Sequence, residues 1–78
     1  MQAFHDRLRE MRLKNNIMAK SMAELLGVSY RNYQRYEKGE IDITLSKLNV
    51  LAKFFDVSLD YMSGRSDNPK IVNPMSGV

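Results

Sequence analysis

Apolar residues recur at helical spacing through most of the chain. Phe4, Leu8 and Met11, with polar residues between them, predict a first helix over about residues 3–14. Glu10 and Lys14 stand at an attractive i,i+4 spacing. Asn15-Asn16 reads as the stop, because Asn tolerates the left-handed cap position. Met22, Ala23 and Leu26, after Ile17, predict a second helix over roughly 19–26, ended by Gly27. Val28 follows, and Ser29 is a good N-cap for a third helix that runs to Gly39. Two short helices separated by about three residues that include a glycine form the helix-turn-helix pattern. Thr44 can cap a fourth helix whose apolar stripe is Leu45, Leu48, Leu51, Ala52 and Phe55. Ser58 starts a short fifth helix with Leu59, Tyr61 and Met62, stopped by Gly64. Beyond it come Asn68-Pro69 and Asn73-Pro74, and the apolar period is lost. The expectation is an all-α, compact five-helix domain over residues 1–64, followed by a flexible or loosely docked C-terminal tail over 65–78.

The third helix carries the most information. Tyr33 and Tyr36 lie on one side of it and read as core or half-buried residues whose hydroxyls reach water. Arg31, Gln34, Arg35 and Lys38 fall at i, i+3, i+4 and i+7, one polar stripe with three cations. Arg31 and Arg35 repel each other at that spacing, so the arrangement gains nothing within the helix itself. An anionic surface opposite would explain it; a plain solvated face explains it equally well. Arg and Gln also donate to base edges, Arg to guanine and Gln to adenine.

Charge sharpens the picture. The net charge is +3 over 78 residues. Residues 1–39 hold eight Lys and Arg against four Asp and Glu, whereas residues 40–78 hold four against five. The basic character therefore lies in the first half and favours an anionic partner. At this length the core is small, and with no cysteine there is no disulfide or thiolate metal site to reinforce it. No apolar run is long enough to span a membrane, and the charged stretch from His5 to Arg12 does not read as a secretory signal. A cytoplasmic protein is the expectation. Catalysis finds no support. His5 is the only histidine and reads as a solvated helix residue. Asp56 and Asp60 flank a helix start, where the dipole stabilises carboxylates. No phosphate-cradling glycine loop occurs, and no cofactor or metal is expected.

The run Met22-Ala23-Glu24-Leu25-Leu26-Gly27-Val28-Ser29, followed by Arg35-Tyr36-Glu37-Lys38-Gly39, resembles lambda-repressor-like helix-turn-helix proteins of the Cro/CI (XRE) type. Leu51-Ala52-Lys53-Phe54-Phe55-Asp56-Val57-Ser58-Leu59-Asp60 is similar to that family's fourth-to-fifth helix junction, and Arg7-Leu8-Arg9-Glu10-Met11-Arg12 to its first helix. The resemblance covers residues 4–63.

It implies a sequence-specific, DNA-binding transcriptional regulator, in particular a repressor, that inserts helix 3 (about 29–38) into the major groove of a palindromic operator. It implies base reading by Tyr30, Arg31, Gln34 and Arg35, with Asn32 a further candidate. Tyr30 could meet a thymine methyl or a phosphate, or simply lie on the surface. Phosphate contacts would come from Arg12, Lys20, Ser29 and Lys38, and from main-chain amides at the starts of helices 2 and 4. Arg12 and Glu37 match a structural ion pair that ties helix 1 to helix 3. A homodimer on half-sites about 34 Å apart is implied, with Leu59, Tyr61 and Met62 and part of the tail at its interface.

Three features depart from the family pattern: the start of helix 2, the loop after Gly39, and Leu13, which falls on a face of helix 1 that is usually polar. Met18-Ala19 stands where the family commonly has Thr-Gln, which loses both a cap and a phosphate ligand. Ser21-x-x-Glu24 looks like a capping box but would cut helix 2 to about one turn, so it reads as accidental. Glu40 and Asp42 make the loop after Gly39 acidic. Leu13, Leu25, Tyr61 and the six methionines are candidates for apolar surface that a protein partner could cover, although scattered exposure accounts for any one of them. A protein-interaction module on the same fold, an antitoxin or a co-regulator, is the alternative reading.

Overall fold

Local capping decides where each helix begins and ends. The computed structural model describes residues 2–71 and places five helices along them: α1 (Phe4–Lys14), α2 (Ala19–Leu26), α3 (Tyr30–Glu37), α4 (Leu45–Phe55) and α5 (Leu59–Ser63). Three begin at a hydroxyl that accepts a free backbone amide, Ser29 from Asn32, Thr44 from Lys47 and Ser58 from Tyr61. α1 and α2 begin at Ala3 and Met18, with no side-chain cap. α2 starts at Ala19, so Ser21 lies inside it and caps nothing.

Every helix ends in the same geometry. A left-handed residue follows it at Asn16, Gly27, Gly39, Asp56 and Gly64. At each stop one amide reaches back three residues and the next reaches back five, as in Gly27 to the Glu24 carbonyl and Val28 to the Ala23 carbonyl. Gly27 makes the bend between α2 and α3 at φ +69°, and space around it is open, so backbone conformation alone asks for glycine there. Gly64 is constrained twice, because a Cβ at its φ of +88° would lie 1.8 Å from the Gln2 carbonyl oxygen. The Gln2 amide donates to the Gly64 carbonyl at 3.1 Å and joins the two ends of the helical body. Asp56 lies two residues before the Ser58 cap of α5, as expected, and is also the left-handed stop of α4, at φ 55°.

The core gathers Leu8 and Met11 of α1, Met22, Ala23 and Leu26 of α2, Tyr33 and Tyr36 of α3, Leu51 and Ala52 of α4, and Val57. Tyr61 and Met62 belong to it as well. At 8% and 0% exposure they are spent on folding this chain and cannot form the surface assigned to them above; of that trio only Leu59 faces outward. The reason is geometric, since α5 has five residues and its inner side must cover α1 and α4.

The beginning of the tail is docked. The Ser58 amide donates to the Pro69 carbonyl at 3.0 Å, and Arg7 of α1 reaches Asp67 at 3.1 Å. These bonds dock the start of the expected tail, while its residues 72–78 lie outside the described residues. Glu10 is turned away from Lys14: it accepts from the Gln2 side chain at 3.0 Å and stands 3.9 Å from Arg7. His5 is half-buried rather than solvated, with its ring against Gly39.

Candidate nucleic-acid interface

α3 is seated by one side and offered by the other. Tyr33 is fully buried and Tyr36 nearly so, and both anchor the helix on the core. Tyr30, Arg31, Asn32, Gln34 and Arg35 are all exposed. Lys38, the C-cap of α3, is exposed too, so the stripe of Arg31, Gln34, Arg35 and Lys38 faces solvent along its whole length. None of these cations forms an ion pair among the described residues, which leaves their charge available to an outside partner.

The inner side of α3 is locked by a charge pair. Arg12 of α1 donates from Nε to Glu37 Oε2 at 2.6 Å and from Nη2 to Oε1 at 3.1 Å. Its Nη1 donates to the Ile17 carbonyl at 3.1 Å. This two-pronged geometry fixes direction as well as distance, so it sets how α3 sits on α1. The hydrogen bond to Glu37 holds the Arg12 pKa above its already high value. The Tyr33 hydroxyl, expected at the surface, is buried beside this pair without a hydrogen-bond partner. Burial first, and then Glu37, push its pKa far above the ordinary tyrosine value.

The start of α2 lies beside the start of α3. Met18, Ala19 and Lys20 line a shallow cleft together with Tyr30. Lys20 is exposed. Ser29 is exposed as well, and its oxygen already accepts the Asn32 amide, so its O–H remains free to donate. Glu40 and Asp42 of the loop after α3 are also exposed.

A helix-turn-helix family model matches residues 8–62, from the middle of α1 to the end of α5. The chain belongs to the helix-turn-helix family. It is of the lambda-repressor-like, Cro/CI type. It is 36% identical over 63 residues to an uncharacterised HTH-type transcriptional regulator, YobD of Bacillus subtilis, a match that covers 81% of this chain and 56% of that protein. It is 40% identical over 60 residues to the HTH-type transcriptional regulator AnsR of the same organism, covering 77% of this chain and 52% of that one. The chain thus spans about half the length of these relatives. The crystal structure of a transcriptional regulator from Listeria innocua is similar with a TM-score of 0.78 at 29% identity, over 94% of this chain and 66% of that one. The P22 c2 repressor, crystallised with a synthetic operator, is similar with a TM-score of 0.74 at 26% identity, over 85% of this chain and 100% of that one.

One residue of this helix-turn-helix domain went unread in the sequence. Arg7 is 4% exposed and lies over the Tyr61 ring, its guanidinium carbon 3.8 Å from the ring centre. It bonds Asp67 and reaches the Ser66 carbonyl at 3.5 Å, while its Nε has no partner. The signal was present: Phe4, Arg7, Leu8 and Met11 stand at i, i+3, i+4 and i+7, which places Arg7 on the apolar stripe of α1. Among the described residues no helix is long and apolar enough to cross a membrane, and no three His, Asp or Glu side chains gather as a metal site.

Proposed function

We infer that this protein is a sequence-specific DNA-binding transcriptional regulator, a repressor that lays α3 in the major groove of a palindromic operator. One observation carries the reading: α3 is fixed from behind by Tyr33, Tyr36 and the Arg12–Glu37 pair, while Tyr30, Arg31, Asn32, Gln34 and Arg35 all point outward without partners. A rigid helix with free donors matches the docking of a reading helix in the groove. The relatives' names as transcriptional regulators and the operator bound to the P22 c2 repressor support the same conclusion. Arg31, Gln34 and Arg35 read base edges, with Tyr30 and Asn32 beside them. Lys20, Ser29 and Lys38 take phosphates, and Arg12 adds a donor not used by Glu37. The protein acts as a homodimer through the outer side of α4 and α5, where Val50, Phe54 and Leu59 are exposed. Its place of work is the cytoplasm.

Selection of bound duplexes from a random library, followed by salt titration, tests this. Arg31→Ala and Arg35→Ala relax base preference at particular positions, and Lys38→Ala weakens all sequences alike and lowers the salt slope by about one. The exposed carboxylates of Glu40 and Asp42 favour a second reading, a protein-interaction module that serves as antitoxin or co-regulator. Equal duplex binding by the native chain and the Arg31→Ala/Arg35→Ala variant decides for that one.

A further inference from the structure

The cleft between the first turns of α2 and α3 has a volume of about 300 Å³ and is lined by Met18, Ala19, Lys20 and Tyr30. Its apolar walls are open to solvent: Met18 is 66% exposed and Tyr30 is 50% exposed. Among the described residues both are left exposed, and Tyr30 stands directly before the exposed Arg31. Tyr30 belongs both to this cleft and to the outward side of α3, so whatever meets α3 also meets the cleft.

A duplex presents one apolar group in its major groove, the C5 methyl of thymine. We propose that the Met18–Ala19–Tyr30 cleft receives that methyl and makes this protein select thymine at one position of its site. The proposal rests on the DNA-binding reading above. The methionine thioether is flexible and polarisable, so it can close on a methyl without demanding one fixed approach. Lys20, at the rim of the cleft, places a cation beside the methyl for the neighbouring phosphate. Ala19 contributes only a methyl group to the lining, so a longer side chain there would take up cleft space. Met18 is the extended residue before α2 and makes no side-chain cap, so its side chain is free for this contact.

The experiment starts from a duplex selected by the native protein. Each thymine is replaced in turn by deoxyuracil, which removes only the methyl, and then by 5-bromodeoxyuracil, which restores a group of similar size. The native protein loses about fourfold in affinity at one thymine, the worth of one buried methyl-sized group, and bromine restores it. Met18→Ala binds the thymine and uracil duplexes equally well while its helical circular dichroism is unchanged. Loss of affinity at no thymine, or full discrimination retained by Met18→Ala, overturns the proposal and leaves the DNA-binding reading intact. Failure to select any duplex overturns both.

Discussion

Arg7 and Arg12 leave the same helix and are both withdrawn from water, yet they are satisfied in opposite ways. Arg12 meets a second shielded charge: the side chains of Arg12 and Glu37 are 16% and 12% exposed, and two parallel hydrogen bonds join them. Arg7 meets an aromatic surface, the Tyr61 ring, and the two carboxylates near it, Asp67 and the more distant Glu10, are 79% and 47% exposed. The first arrangement depends on pairing, because each member would be costly to bury alone. The second depends on packing, because the Tyr61 ring needs the flat guanidinium to cover it. A buried cation can therefore orient one helix or pin a chain end within a single α-helix, according to what faces it.

The largest effect is expected at Arg12. Arg12→Ala leaves Glu37 buried without a partner and costs about 3 kcal/mol in urea unfolding. Arg12→Met/Glu37→Leu costs less than either single change, because neither charge is then stranded. A double variant as unstable as Arg12→Ala would show that the pair holds the fold by attraction and not merely by avoiding an orphaned charge.

Arg7 comes next. Arg7→Ala uncovers Tyr61 and is expected to cost about 2 kcal/mol, whereas Asp67→Ala, which removes only an exposed carboxylate, costs less than about 1 kcal/mol. Equal losses would mean that the ion pair, and not the ring, holds Arg7. The same two variants probe the docked tail, since amide exchange at Ser58, bonded to Pro69, should quicken in both.

The smallest effect is expected from Tyr33. Its folded pKa is raised by burial, so the folded chain keeps a proton that the unfolded chain releases above about pH 10. Stability is then complete below that pH and falls as the pH climbs beyond it. Tyr33→Phe should remove this share of the alkaline loss. It should be nearly neutral at pH 7, because the deleted hydroxyl has no partner. An unchanged alkaline limb would place the titration elsewhere.

Much of this architecture could be read from the residues. Ser29, Thr44 and Ser58 cap as their types demand, and Gly27, Gly39 and Gly64 take the left-handed stops. The outward stripe on α3 followed from spacing alone, and the Arg12–Glu37 pair followed from family resemblance. What could not be read has physical causes. α5 is too short for its periodicity to separate an inner from an outer side, and so Tyr61 and Met62 were placed at a surface. The tail is held partly by a main-chain bond from Ser58 to Pro69, which has no side-chain signature. A charge on an apolar stripe is read as solvent-facing unless its ring partner is known, and that concealed Arg7.

The five identical helix stops bear on how fast the chain folds. Each brake lies within six residues of the turn it arrests, so every rod can reach its final length before it finds its neighbours. Low sequence separation of this kind belongs to chains that fold in roughly microseconds to milliseconds. The Gln2–Gly64 and Arg7–Asp67 links span nearly the whole body and close a large loop, so they should form on the downhill side of the barrier. Substitutions there should hasten unfolding and leave the refolding rate almost untouched.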